Sequence, residues 1–139
     1  MSDTSSSDYH RIKSYDDVRR FVDEFRKRVK TGQFIVSERE DKNLPFMRTH
    51  NLVDRRRQAN LLLGICAEDF VHAVPSRLEG NEGQELYVFA KQCTLHEMLK
   101  GLVERLVYIK VDMITGKKQM AIVVSLHEAE EAPESYPYK

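Results

Sequence analysis

The chain has 139 residues, and its Lys and Arg total equals its Asp and Glu total at 22 each, so no overall field advertises a polyanionic partner. Placement is uneven, however: residues 1–60 hold 14 basic against 10 acidic side chains, whereas residues 127–139 hold 1 against 4. The length suits one domain around a single core, the two cysteines (Cys66 and Cys93) supply neither a disulfide framework nor a four-ligand zinc site, and no apolar run of about 18 residues or charged-then-apolar leader is present, so a protein without a membrane association, in the cytoplasm, is expected.

Residues 1–13, rich in Ser and Asp without apolar periodicity, read as a flexible leader, and residues 14–139 as one domain. A helix is predicted from Ser14: Ser14 and Asp17 have capping-box spacing, Val18, Phe21, Val22, Phe25 and Val29 recur on one face, and Lys30 and Gly32 close it. Its other face carries Arg19, Arg20, Arg26, Lys27 and Arg28 and reads as solvated. "QFIVSE" is a short strand candidate, and "EREDKNLPFMRTHN" a polar connection holding Pro45. "DRRRQANLLLG" predicts a second helix, capped by Asp54, with Leu61, Leu62 and Leu63 as core and Gly64 as its stop. "AEDF" and "PSRLEGNEGQ" read as a turn and a long loop.

In the second half, "ELYVFAK", "LVYIKVDMI" and "MAIVVSLH" predict three strands, the last two joined by a hairpin loop holding Gly116. Between the first two, Thr94 and Glu97 have capping-box spacing, and Leu95, Met98, Leu99, Leu102 and Val103 recur at helical intervals, which predicts an inserted helix over 94–104. The predicted class is α+β, with N-terminal helices packed on a small antiparallel sheet.

Alternation sorts the strand residues into faces. Val107, Ile109, Val111 and Met113 share one face of their strand, with Tyr108, Lys110 and Asp112 opposite; on the last strand Ile122, Val124 and Leu126 share a face, with Val123, Ser125 and His127 opposite. If both apolar sets cover the helices, Tyr108, Lys110, Ser125 and His127 meet on the other side. A phenol, an ammonium, a hydroxyl and an imidazole suit metal-free RNA cleavage, in which a 2′-hydroxyl loses its proton, the phosphorane's charge is neutralised and the leaving 5′-oxygen is protonated. Solvent-facing residues of a half-exposed sheet show the same alternation. Lys91 and Lys110 are phosphate-contact candidates; so are Arg55, Arg56 and Arg57, cations at a helix start where the dipole disfavours them. No Gly-rich phosphate loop, nucleophile elbow or metal-ligand spacing is present, so neither a cofactor nor a metal is expected.

The succession "LLLGICAEDF", "LYVFAK", "VYIKV" and "VVSLHEAEEAPESYPYK" resembles the MqsR-type toxins of bacterial type II toxin–antitoxin systems over roughly residues 15–139. The resemblance implies a compact RelE-like fold, an endoribonuclease that cleaves mRNA (an mRNA interferase), and a cognate antitoxin protein as partner. It places the family's catalytic tyrosine on Tyr108 and its two catalytic lysines on His127 and His72. The polar residue that the family carries on the "LYVF" strand falls near Val88. The alternative is a non-catalytic RNA- or protein-binding domain of the same fold.

Overall fold

A computed structural model of the chain describes residues 11–76, 83–115 and 118–139. Its helices are α1 (Tyr15–Lys30), α2 (Asn43–Thr49) and α3 (Arg55–Leu62), with strand β1 (Phe34–Val36) between the first two. A single 3-10 turn, Ala67–Asp69, leads into β2 (Phe70–Pro75), β3 (Glu85–Glu97), β4 (Gly101–Met113) and β5 (Ala121–Glu128). The strands form one sheet in the order β1-β5-β4-β3-β2. The class is α+β, as the pattern predicts, but the sheet is mixed, because β1 lies parallel to β5 and the other pairs are antiparallel.

Helix α1 starts where its cap predicts, with Ser14 Oγ accepting from the Asp17 N–H at 3.1 Å. Val18, Val22, Phe25 and Val29 are buried against the sheet, and the Phe21 ring stacks on Tyr87 with centroids 3.9 Å apart. Arg28 does not share the solvated face: it is buried, pairs with Glu24 at 2.8 Å, and donates to the Ile114 and Met120 carbonyls, tying α1 to the β4–β5 connection. Asp54 caps α3 through the Arg56 N–H, and Leu62 is fully buried, with Leu61 and Leu63 packed around it.

The structure corrects the sequence reading in four places. No helix occupies 94–104. Strands β3 and β4 instead run on as a long hairpin in which Leu95 faces Val103 and Glu97 faces Gly101. Leucines four apart fit a strand's period of two as well as a helix's turn, and here the turn chemistry decides. Leu99 and Gly101 have φ of 78° and 80°, a left-handed conformation that no α-helix contains. Thr94 bonds Glu104 across the ladder instead of capping a helix, and Met98, Leu99 and Leu102 are exposed near the hairpin tip. Second, the "DKNLPFM" connection contains α2, in which Pro45 occupies the first turn, where its missing N–H costs nothing, and Phe46 and Met47 reach the core. Third, the residues between the "AEDF" turn and the long loop, for which the sequence predicts no element, form strand β2, which pairs with β3 from Phe70 to Pro75. Fourth, the faces of β5 change part-way along it: Ala121, Val123 and Leu126 are the fully buried apolar set, because the register slips by one residue at Val124.

Residues 11–13, which the sequence groups with the leader, are attached to the sheet: Arg11 exchanges backbone hydrogen bonds with Ala73 at 2.8 and 2.7 Å, and Lys13 pairs with Glu85 at 2.7 Å. The rest of the predicted leader, the centre of the loop at 77–82 and Gly116 lie outside the described residues.

Packing against Phe21 and Phe70 has a titration consequence. Burial pushes the Tyr87 phenol up from 10.0 to about 12, with Glu85 adding to the shift. Above pH 10 the unfolded chain releases this proton while the native state holds it, so native stability falls as pH rises from 10 towards 12. Denaturant titrations across that range should show the fall, and Tyr87→Phe should flatten it.

Candidate active site

The sheet has one face under the helices and one turned away from them. On the helix side lie Phe89, Val107, Ile109 and Leu126, all fully buried. Strand pairing fixes what stands opposite. His72 is directly across from Val88, Val88 from Lys110, and Lys110 from Ser125, a row spanning four strands. The next row runs from Ala90 to Tyr108 to His127. Tyr108, Lys110, Ser125, His127 and His72 are thus on one face, the grouping that alternation predicts for the first four.

Strand β5 can serve both faces correctly only because of its bulge. Its first half aligns with β1, whose buried Phe34 and Val36 pair with Ala121 and Val123, so odd-numbered residues face the core there. Unbroken alternation would then drive Ser125 and His127 under the helices. The extra residue at Val124 resets the phase, so Leu126 takes the core position opposite Ile109 and His127 joins Tyr108. A bulge leaves ladder groups without strand partners. Asn43, fully buried at the start of α2, satisfies them: its Nδ2 donates to the Val124 and Ser37 carbonyls, each at 2.9 Å, and its Oδ1 accepts from the Leu126 N–H at 3.0 Å.

On this frame the Tyr108 and His127 rings lie nearly parallel, with centroids 5.3 Å apart and 24° between planes. The Lys110 ammonium stands 6.0 Å from the Tyr108 ring centre. His127 Nδ1 lies 3.0 Å from the Glu128 backbone oxygen. A carbonyl only accepts, so this contact assigns the proton to Nδ1 and leaves Nε2 of the neutral ring as a base. The Glu128 carboxylate is not the ring's neighbour; it turns towards Arg105, 3.8 Å away. Burial pushes the Tyr108 phenol above its ordinary value, so at neutral pH it is a proton and hydrogen-bond donor.

Two clefts open beside this pair. One, of about 320 Å³, is lined by Arg39, Lys42, Lys110, Ser125 and His127 with Tyr108. The other, of about 530 Å³, places His72 and Ala90 beside Tyr108 under the C-terminal segment. That segment leaves β5 through the Ala129 N–H to the Leu106 carbonyl, at 2.8 Å, and is pinned at its far end by Tyr138. The Tyr138 ring packs on Tyr15 and Phe70 and its hydroxyl donates to the Lys13 carbonyl. Between these anchors Glu130 and Glu131 line the cleft beside Tyr108. The Lys42 ammonium, 3.0 Å from Glu130, holds that carboxyl below the usual carboxylate range.

The other sequence candidates are elsewhere. Lys91 faces the helix side and pairs with Asp69 at 3.6 Å. Arg55 is structural: its guanidinium donates to the Phe34 and Gly32 carbonyls, each at 3.0 Å, and lies over the Phe34 ring. That contact explains a cation at a helix start. Arg56 is exposed, and Arg57 stands 3.9 Å from Asp54; neither lines the clefts beside Tyr108. Conversely, Arg39, Lys42 and Asn43 escape the sequence analysis, because α2 does; Pro45 followed by two large apolar residues is the signal that locates it. Among the described residues no three His, Cys, Asp or Glu side chains converge closely enough to hold a metal ion, and no helix is long and apolar enough to cross a membrane.

Neither protein-family models, nor curated proteins, nor solved structures give a match to this chain.

The Asn43 clamp makes a quantitative prediction. Asn43→Ala strands two part-buried carbonyls and one buried N–H, so unfolding free energy should drop by about 2 kcal/mol in denaturant titrations. Asn43→Asp keeps the acceptor for Leu126 but sets a carboxylate oxygen against both carbonyls at a fully buried position, so at neutral pH it should lose at least as much as Asn43→Ala.

Proposed function

We propose that the protein is a metal-independent endoribonuclease of the MqsR type, with a RelE-like fold, acting in the cytoplasm as the toxin of a toxin–antitoxin pair. The observation that carries the proposal is the parallel stack of Tyr108 and His127 on the face of the sheet away from the helices. With its proton on Nδ1, the His127 ring offers Nε2 to a 2′-hydroxyl and takes its proton as that oxygen attacks the adjacent phosphorus. The protonated Tyr108 phenol donates to the phosphate as charge builds on it, and Lys110 supplies positive charge beside the ring. His72, in the cleft on the other side of Tyr108, is the candidate donor to the leaving 5′-oxygen. The products are a 2′,3′-cyclic phosphate and a 5′-hydroxyl. Arg39 and Lys42 line the same cleft as His127 and are placed to meet flanking phosphates.

One observation favours the second reading, a domain that binds RNA or protein without cutting it. Val88, buried between His72 and Lys110 in their row, supplies no polar group where the resembled family has one.

Incubation of the purified protein with single-stranded RNA and a chelator separates the two. Cleavage leaving cyclic phosphate ends is expected, slowed about 100-fold or more by His127→Ala and by Tyr108→Phe. Absence of cutting would select the binding domain, whereas variants that cut like the parent would remove His127 and Tyr108 from the reaction.

A further inference from the structure

On the helix side of the sheet, the segment from α2 through α3 borders a crevice of about 450 Å³ against the outer half of β3. Its lining differs from that of the clefts around Tyr108. In a chain with as many acids as bases, it contains no carboxylate; its charged members, Arg57 and Lys91, are both positive. Their ion partners, Asp54 and Asp69, stand outside the lining. The polar remainder includes the side-chain amides of Asn51 and Asn60 and the imidazole of His50; Gln92 and His96 border the crevice from the strand, but alternation along β3 turns their side chains to the opposite face. Amides present paired donors and acceptors to base edges, cations meet phosphates, and planar rings offer stacking surfaces.

A third cleft lies between the crevice and the candidate active site. Of about 370 Å³, it shares Lys42, His127 and Glu130 with the Tyr108 cleft and His50 with the crevice, and Arg105 lines it together with Glu97 and Glu128. At that junction His50 is 5% exposed, its ring packs on Phe46, and its Nδ1 has no hydrogen-bond partner among the described residues. A buried polar atom without a partner is uncommon in folded proteins and is a feature of sites kept for a ligand.

We propose that this crevice is a second RNA subsite, which takes unpaired nucleotides flanking the bond cleaved beside Tyr108. The proposal rests on the endoribonuclease reading and assigns Arg57 and Lys91 to phosphates, and Asn51 and Asn60 to bases.

Binding of uniformly 2′-O-methylated RNA, which cannot supply the attacking hydroxyl, tests it apart from cleavage. Fluorescence anisotropy would compare oligonucleotides of about 4 and about 12 nucleotides. The longer probe should bind wild-type protein more tightly. Arg57→Ala and Asn60→Asp, both at exposed positions, should weaken the longer probe about 3- to 10-fold and leave the shorter one unchanged, and Arg57→Ala should also flatten the salt dependence by about one unit of slope. Cleavage of a short RNA by these variants should match the parent. Equal binding of both probes by wild-type protein, or groove variants that hold the longer probe normally, would overturn the subsite. Loss of a protein partner with RNA binding intact would reassign the crevice to that partner. If wild-type protein cuts no RNA yet the groove variants still lose the longer probe, the endoribonuclease reading fails and the groove stands as an RNA-binding site.

Discussion

One extra residue in the last strand governs everything on the side of this sheet turned away from the helices. Strand β5 must present Ala121 and Val123 to the core beside β1, then Leu126 to the core beside β4. No uniform alternation satisfies both. The bulge at Val124 does, and Asn43 supplies the hydrogen bonds that the bulge removes from the ladder. A buried Asn with three backbone contacts also rigidifies the point where the strand changes phase, since each unmade bond there would expose a desolvation cost. Helix α2 is therefore more than a connection; it carries the residue that lets His127 stand beside Tyr108.

The chemistry follows from that alignment and from selective burial. Tyr108 is held as a protonated donor by its partly buried position, and His127 is held in one tautomer by a backbone carbonyl. Positive charge is local: Lys110, Lys42 and Arg39 gather around one cleft of a chain with zero net charge. The acidic C-terminal segment runs along the same cleft, with Glu130 paired to Lys42. Carboxylates there offset the cations, and under the proposed function a phosphate chain entering the cleft would exchange one set of anions for another.

Much of the fold is legible in the sequence where local signals and burial agree. The cap at Ser14, the apolar stripe of α1, the Asp54 cap and the three long strands all follow from periodicity and turn chemistry. Helical spacing misleads over 94–104, because Leu95 and Val103 are partners across a hairpin and the left-handed Leu99 and Gly101 make the turn between them. The bulge is invisible in "AIVVSLHE", where consecutive apolar residues permit either phase; only the parallel partner β1 decides it. For the same reason Tyr108 and Lys110 could be paired with His127 from local alternation alone, whereas His72 needed β2, and Arg55 needed the carbonyls of Gly32 and Phe34 to explain it.

The central claim is that Tyr108 and His127 form one site, aligned by the β5 bulge, at which RNA reacts. Ring resonances of both side chains, followed by NMR as an uncleavable 2′-O-methylated RNA is added, test this most directly. The account predicts that both rings shift together and saturate at the same RNA concentration. Binding that perturbs other parts of the protein and leaves both rings unmoved would contradict it.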